Sequence, residues 1–360
     1  MTKVGINGFG RTGKSLLKAI LERQPIKMKP MAINDPALQS PKHAAYILKY
    51  DSVYDRFYGK VCYDEKHLIV NDEKILIFAE ADSKKIPWSQ SDVVYVADCS
   101  GKNTTLKTAS QHLTGKVKKI IVAGNSKDIS MFVMGVNHME YNPSEKVISM
   151  ASCSTNCLAP LVKVMHEKFG IREGFVTVVH AITNEQNLLD GMSNKSWRIG
   201  RCSILNIIPD KSCCIEGIGG IIPDLKEKIS GITMKVPITI GSVVDFTVRV
   251  CKKTKLSEIN DEMKQASLCG LNGILDYTEE ELVSSDFIKC SSSAIYDASA
   301  SVQLNERFFK LIAWFDNEYG YACRLADFLA YIATTDDECQ CKKNLKSCEA
   351  QNANTNELKK

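Results

Sequence analysis

A chain of 360 residues, 44% of them hydrophobic, can bury a large core and is longer than one typical domain, so two domains are the default expectation. Its 46 basic and 42 acidic residues leave a net charge of +4, which gives no strong pull toward nucleic acid or an anionic membrane surface. No apolar run approaches the roughly 20 residues needed to cross a bilayer, and 14 cysteines without regular spacing fit a reducing compartment better than a disulfide framework, so a cytoplasmic location is expected.

The first element in chain order is a strand at residues 3–7, which the N-terminus enters directly without an apolar stretch, so no signal peptide is expected. It runs through Gly8, Gly10 and Gly13 into residues 14–21, where apolar side chains recur at helical spacing. Strand, tight turn and helix with a G-x-G-x-x-G spacing form the dinucleotide fingerprint. The turn needs unusual backbone angles, a pyrophosphate must approach bare backbone, and the helix start offers N–H donors. A second strand near 31–33 ends on Asn34-Asp35, an acid about 20 residues on that can accept from ribose hydroxyls. Its carboxylate repels a 2′-phosphate, so NAD is expected rather than NADP. Further strands at 75–78, 93–97 and 120–123 alternate with amphipathic helices, which argues for a mostly parallel sheet covered by helices: an α/β domain of Rossmann type.

Near residue 150 comes the most informative turn. An apolar run at 147–151 leads through Ser152-Cys153-Ser154-Thr155-Asn156-Cys157 into Leu158-Ala159-Pro160-Leu161-Val162, which puts a thiol where a strand becomes a helix. The N–H groups and dipole of the new helix favour an anion at Cys153, hence a nucleophilic thiolate. Pro160 is expected early in that helix, where a missing N–H has no partner to lose. The β-rich stretch 175–180 then ends on His180, and the two residues suggest one site with a nucleophile and a proton acceptor.

Strand-like runs now come closer together, at 175–182, 232–236, 243–250 and 309–315, as in an α+β domain with a mixed or antiparallel sheet and helices on one side. Helical spacing returns at 321–333. Residues 336–360 carry almost no apolar side chains and are expected to be a disordered polar tail. Cys339, Cys341 and Cys348 in it lack a nearby histidine and a C-x-x-C pair, so no metal site is expected.

Taken with Asn34-Asp35-Pro36, Met131-Phe132-Val133-Met134-Gly135-Val136-Asn137-His138, His180-Ala181-Ile182-Thr183, Trp197-Arg198, Asn206-Ile207-Ile208-Pro209 and Trp314-Phe315-Asp316-Asn317-Glu318-Tyr319-Gly320-Tyr321, these motifs resemble glyceraldehyde-3-phosphate dehydrogenase over nearly the whole chain. The resemblance implies a homotetrameric, NAD-dependent enzyme of glycolysis that oxidises glyceraldehyde 3-phosphate with inorganic phosphate. It implies an NAD-binding domain at 1–151, completed by a C-terminal helix at about 319–335, and a catalytic domain at 152–318. Cys153 would form a thiohemiacetal and then a thioester, with His180 as base and the backbone N–H groups of both at the oxyanion. Gly8, Phe9, Gly10, Arg11, Thr12, Asp35, Ser100 and Asn317 would hold NAD. Ser152, Ser154, Thr155, Thr183, Ser212 and Lys235 would meet the substrate and phosphate.

The chain departs from the family where anions are handled. Ser100 stands for a threonine, and Ala81 for an arginine near the adenine. Glu185 replaces a second threonine after the histidine, and Lys235 replaces an arginine, so a bidentate fork becomes a point charge. Cys213 and Glu216 replace a glycine and a lysine in the phosphate loop. The two new acids are expected to repel phosphate. Two alternatives stay open: an NAD-dependent aldehyde dehydrogenase of the same chemistry on another aldehyde, and a catalytically weak paralogue kept for binding.

Overall fold

The computed structural model describes residues 1–23 and 28–357. Its first sheet has eight strands: β1 (Thr2–Asn7), β2 (Met28–Asn34), β3 (Val61–Tyr63), β4 (His67–Val70), β5 (Glu73–Phe78), β6 (Tyr95–Asp98), β7 (Lys119–Val122) and β8 (Val147–Ser149), in the order β3-β4-β5-β2-β1-β6-β7-β8. Pairing is parallel from β5 across to β8 and antiparallel only where β3 and β4 join the edge. The strand pleat sends alternate residues to two cores. Ile121 joins the core under helices α1 (Arg11–Glu22) and α2 (Pro41–Lys49), while Ile120 and Val122 join the one around Trp88 and Ala109, the latter closing the short helix α3 (Leu106–Ala109).

The second sheet is mixed, as expected. Its strands are β9 (Ile171–His180), β10 (Ile208–Lys211), β11 (Ile229–Lys235), β12 (Ser242–Val250), β13 (Leu275–Thr278), β14 (Ala294–Asn305) and β15 (Phe308–Phe315), ordered β10-β11-β9-β12-β15-β14-β13. One face packs on α4 (Cys153–Phe169), α5 (Cys213–Ile221) and α6 (Leu256–Leu268), burying Val176, Val178, Val244, Phe246 and Leu311. The other face leaves Phe175 and Leu304 exposed.

Two expectations are corrected. Pro160 is the eighth residue of α4, not part of its first turn: the helix starts directly after Ser152, so the proline sits buried in the interior with no N–H to offer Asn156. The last helix, α7 (Tyr319–Glu357), does not end near 335 but runs through most of the segment expected to be a disordered tail. Asp336 explains the continuation at its start, since its carboxylate accepts from the hydroxyls of Tyr95 and Tyr141, both at 2.9 Å, and lies 3.6 Å from the Lys119 ammonium. Composition could not disclose these partners, which are far away in sequence. As the family resemblance implies, α7 returns to the first sheet: Tyr319, Ala322, Leu325, Phe328, Leu329 and Ile332 complete its core.

Candidate active site

The glycine turn between β1 and α1 is built for close approach. Gly8 has φ +88°, and a Cβ there would stand 2.7 Å from the Ser100 nitrogen. A Cβ on Gly13 would stand 1.9 Å from the Gly8 carbonyl oxygen, so only glycine lets the helix start so near the strand end. Gly10 is different. It is the N-cap of α1 without any side-chain cap, and a Cβ on it would meet nothing within 4 Å. Unpaired N–H donors thus face open space, which suits a pyrophosphate.

The Asp35 carboxylate accepts from the Phe9 amide at 2.7 Å and the Ala37 amide at 2.9 Å, so it braces the glycine turn. Phe9, expected among the cofactor ligands, spends its N–H on that bond and buries its ring. The Arg11 guanidinium is likewise committed to protein, donating to Glu318 at 2.8 and 3.0 Å and to Asp51 at 2.8 Å. A cleft of about 1020 Å³ begins here, is lined by Gly8, Gly10, Thr12, Asp35, Ala81 and Ser100, and ends at Asn317, Cys153 and His180.

A buried polar cluster underlies the cleft. Asp98 accepts from the Ser100 hydroxyl at 2.6 Å, from Asn103 at 2.7 Å and from Asn7 at 3.2 Å, with His112 Nε2 at 2.9 Å. The Trp88 indole N–H can only donate, and it reaches His112 Nδ1 at 3.3 Å, so Nε2 carries the ring proton toward Asp98. Burial raises the Asp98 pKa, but His112, Ser100 and Asn103 outweigh it and hold the carboxyl below its ordinary value. Neither Asp98 nor His112 was singled out from sequence, because only the fold brings them under Ser100.

Cys153 stands directly after a strained turn. Ala151, fully buried, has φ +52°, an angle that non-glycine residues rarely adopt. Its carbonyl accepts from the Tyr321 hydroxyl at 2.8 Å, and Asn156 Nδ2 ties back to the carbonyls of Met150 at 2.8 Å and Ser152 at 2.9 Å. The Ser152 hydroxyl caps α4 through the Thr155 amide at 3.1 Å. Cys153 Sγ then lies 3.5 Å from His180 Nε2. His180 Nδ1 donates to the Ala181 carbonyl at 2.7 Å, which leaves the Nε2 lone pair facing the sulfur. Burial lowers the His180 pKa from its ordinary value; the Ala181 carbonyl opposes this, and the Lys235 charge adds to it. Cys157, one turn on, is fully buried, and burial pushes its thiol well up.

Of the six residues expected around the substrate and phosphate, Thr183 lines the cleft. Ser154, Thr155, Ser212 and Lys235 are buried and are not among its lining residues, and Ser152 turns its hydroxyl to Ser154 at 3.1 Å and Thr155 at 2.7 Å. Lys235 donates to the Thr183 hydroxyl at 2.9 Å and lies 4.0 Å from Asp210. Glu185 also lines the cleft, but its carboxylate is paired with Lys195 at 2.5 Å. At the other side Asn317 accepts from the Ser242 hydroxyl at 3.3 Å. Asp316, missed from sequence, holds it there: its carboxylate takes the Tyr54 hydroxyl and the Lys289 amide, both at 2.7 Å, and the Glu318 and Tyr319 amides, both at 2.8 Å, capping α7.

Comparison with known proteins agrees with this geometry. Residues 2–106 match the glyceraldehyde 3-phosphate dehydrogenase NAD binding domain, and residues 152–317 match the C-terminal domain of the same family. The chain is 46% identical over 330 residues to glyceraldehyde-3-phosphate dehydrogenase of Ogataea parapolymorpha, covering 92% of this chain and 98% of the relative. It is 46% identical over 331 residues to a relative from Gracilaria gracilis named as cytosolic, with 92% and 98% covered. With glyceraldehyde-3-phosphate dehydrogenase 1 of Saccharomyces cerevisiae it shares 42% over 333 residues, covering 92% and 99%. A cleft that ends on a paired cysteine and histidine and similarity along both domains lead to one conclusion: the chain belongs to the glyceraldehyde-3-phosphate dehydrogenase family.

Proposed function

We propose that this chain is a cytoplasmic, NAD-dependent, phosphorylating glyceraldehyde-3-phosphate dehydrogenase of glycolysis. The observation that carries the reading is the 3.5 Å approach of Cys153 to His180 at the end of the cleft. The open cradle over Gly10 and the uncapped start of α1 fit the pyrophosphate of NAD, with Asp35 at the adenosine ribose and Ser100 and Asn317 along the cleft. Bound NAD supplies the hydride acceptor. The Arg11 and Thr12 contribution is through their backbone N–H groups, because the Arg11 side chain is occupied by carboxylates.

The chemistry uses the chain's own groups in turn. Cys153 sulfur bonds to the aldehyde carbon while His180 Nε2 takes its proton and returns it to the carbonyl oxygen, giving a thiohemiacetal. His180 then removes the hydroxyl proton as hydride leaves the carbon, and a thioester remains on Cys153. A phosphate oxygen attacks the acyl carbon, the thiolate leaves, and an acyl phosphate is released. Burial serves this cycle, since a histidine with lowered pKa is neutral and able to accept at neutral pH.

We further infer a homotetramer. Met192, Trp197 and Leu205 in the segment after Glu185 are more than four-fifths exposed, and Phe175 and Leu304 stand out from the second sheet, which is apolar surface suited to cover by other copies. The test of function is NADH formation from glyceraldehyde 3-phosphate with and without phosphate. Wild-type protein is expected to turn over only with phosphate. Cys153→Ala should abolish NADH, and iodoacetamide should alkylate Cys153 ahead of Cys157. NADH formation by Cys153→Ala, or equal alkylation of both thiols, overturns the reading.

A further inference from the structure

The aldehyde end of the cleft has an unusual charge arrangement. Among the described residues, the charged side chains that line the cleft are Arg11, Asp35, Glu80, Lys102 and Glu318 at the cofactor end and Glu185 at the aldehyde end. The two ammonium groups near Glu185 are already engaged: Lys195 pairs with Glu185 itself at 2.5 Å, and Lys235, buried behind Thr183, donates to that hydroxyl and lies 4.0 Å from Asp210. Two cations and two carboxylates therefore balance before any substrate arrives. A phosphate ester entering beside Thr183 meets a carboxylate at the wall and must take Lys195 from it. An uncharged hydroxyaldehyde meets no such competition.

We propose that Glu185 is a specificity-determining residue that lowers the enzyme's preference for a phosphate-bearing aldehyde over the uncharged aldehyde of the same carbon skeleton, by facing the anion and holding Lys195. The proposal rests on the dehydrogenase reading and deepens it by naming the charge class of substrate. Desolvation at the half-buried Glu185 raises its pKa, but Lys195 and Lys235 outweigh this, so the carboxylate stays ionised in the pH range of the reaction.

The test compares kcat/KM for glyceraldehyde 3-phosphate with that for glyceraldehyde. Glu185→Gln keeps the shape and removes the charge, and the ratio should rise roughly tenfold, as a contact between charged groups warrants. Lys195→Met leaves the carboxylate unpaired, and the ratio should fall. Glu185→Asp should keep the wild-type ratio. A second readout needs no turnover: glycerol 3-phosphate should protect Cys153 from iodoacetamide at roughly tenfold lower concentration in Glu185→Gln than in wild type. If NADH forms but neither the ratio nor the protection moves in Glu185→Gln, this proposal is overturned and the dehydrogenase reading stands. If no NADH forms from either aldehyde while protection moves as stated, the dehydrogenase reading fails and Glu185 keeps its role as a discriminator between anionic and uncharged ligands.

Discussion

His180 shows how one side chain can be prepared by its surroundings. Its Nδ1 proton is spent on Ala181, its ring packs edge-on against Phe315 with centroids 6.0 Å apart, and burial depresses its pKa. Activity should therefore persist to lower pH than an ordinary histidine allows, with the acid limb of kcat/KM falling below about 6.5. Lys235→Met removes a positive neighbour that disfavours the imidazolium, so that limb should move to higher pH, as a pH series on both proteins will measure. The Cys153–His180 pair and the glycine turn were legible because each belongs to a short motif whose expected chemistry needs that residue type. The partner of Arg11 is not legible in this way: its guanidinium finds Glu318, 307 positions away, and no local pattern reports such a contact. Glu185 was read as a bare repulsive charge, whereas Lys195 answers it ten residues on, across a loop rather than along a helix.

At the scale of elements, the turn from β8 to α4 decides where the sulfur points. A left-handed angle at a fully buried alanine is uphill for the backbone, so the surroundings must enforce it. Tyr321, the third residue of α7, does part of this through its bond to the Ala151 carbonyl. Tyr321→Phe leaves that buried carbonyl without its donor and should cost about 1–3 kcal/mol in urea unfolding. It should also lower kcat more than it raises KM, since the loosened turn displaces the nucleophile rather than the substrate. Equal KM and kcat effects would assign Tyr321 to binding instead. Strand and helix locations were largely readable from periodicity, and the strained angle was not, because Ala151 is an ordinary residue made special by contacts 170 positions apart.

At the scale of the whole molecule, the start of α1 and the residue before α7 are locked together by charge. Asp51, nearly inaccessible to solvent, draws Arg11 at 2.8 Å, Lys14 at 3.3 Å and Lys18 at 3.5 Å, and Arg11 passes the link on to Glu318 at 2.6 Å. Burial raises the Asp51 pKa, but the Arg11 hydrogen bond, the Val53 amide and the charges of Lys14 and Arg11 outweigh it and hold the carboxyl well below its ordinary range. A depressed folded value means that this stabilisation is complete above about pH 4, where the unfolded carboxyl is also ionised, and is lost as pH falls further. Unfolding free energy should drop by about 2 kcal/mol between pH 5 and 2 beyond the loss seen in Asp51→Asn. The architecture of two sheets was legible from strand spacing, and the clamp between the starts of α1 and α7 was not, because Asp51 sits in an unremarkable loop.

The return of α7 has a consequence for how the protein is made. The first sheet's core waits on Leu325, Phe328, Leu329 and Ile332, which leave the ribosome after everything else in both sheets. The N-terminal region therefore emerges first and must remain without part of its apolar cover throughout synthesis, an interval in which chaperones can engage it. The glycine turn can form early, but its brace through Arg11 and Glu318 cannot. Cofactor is thus expected to be captured by the released chain and not by the nascent one.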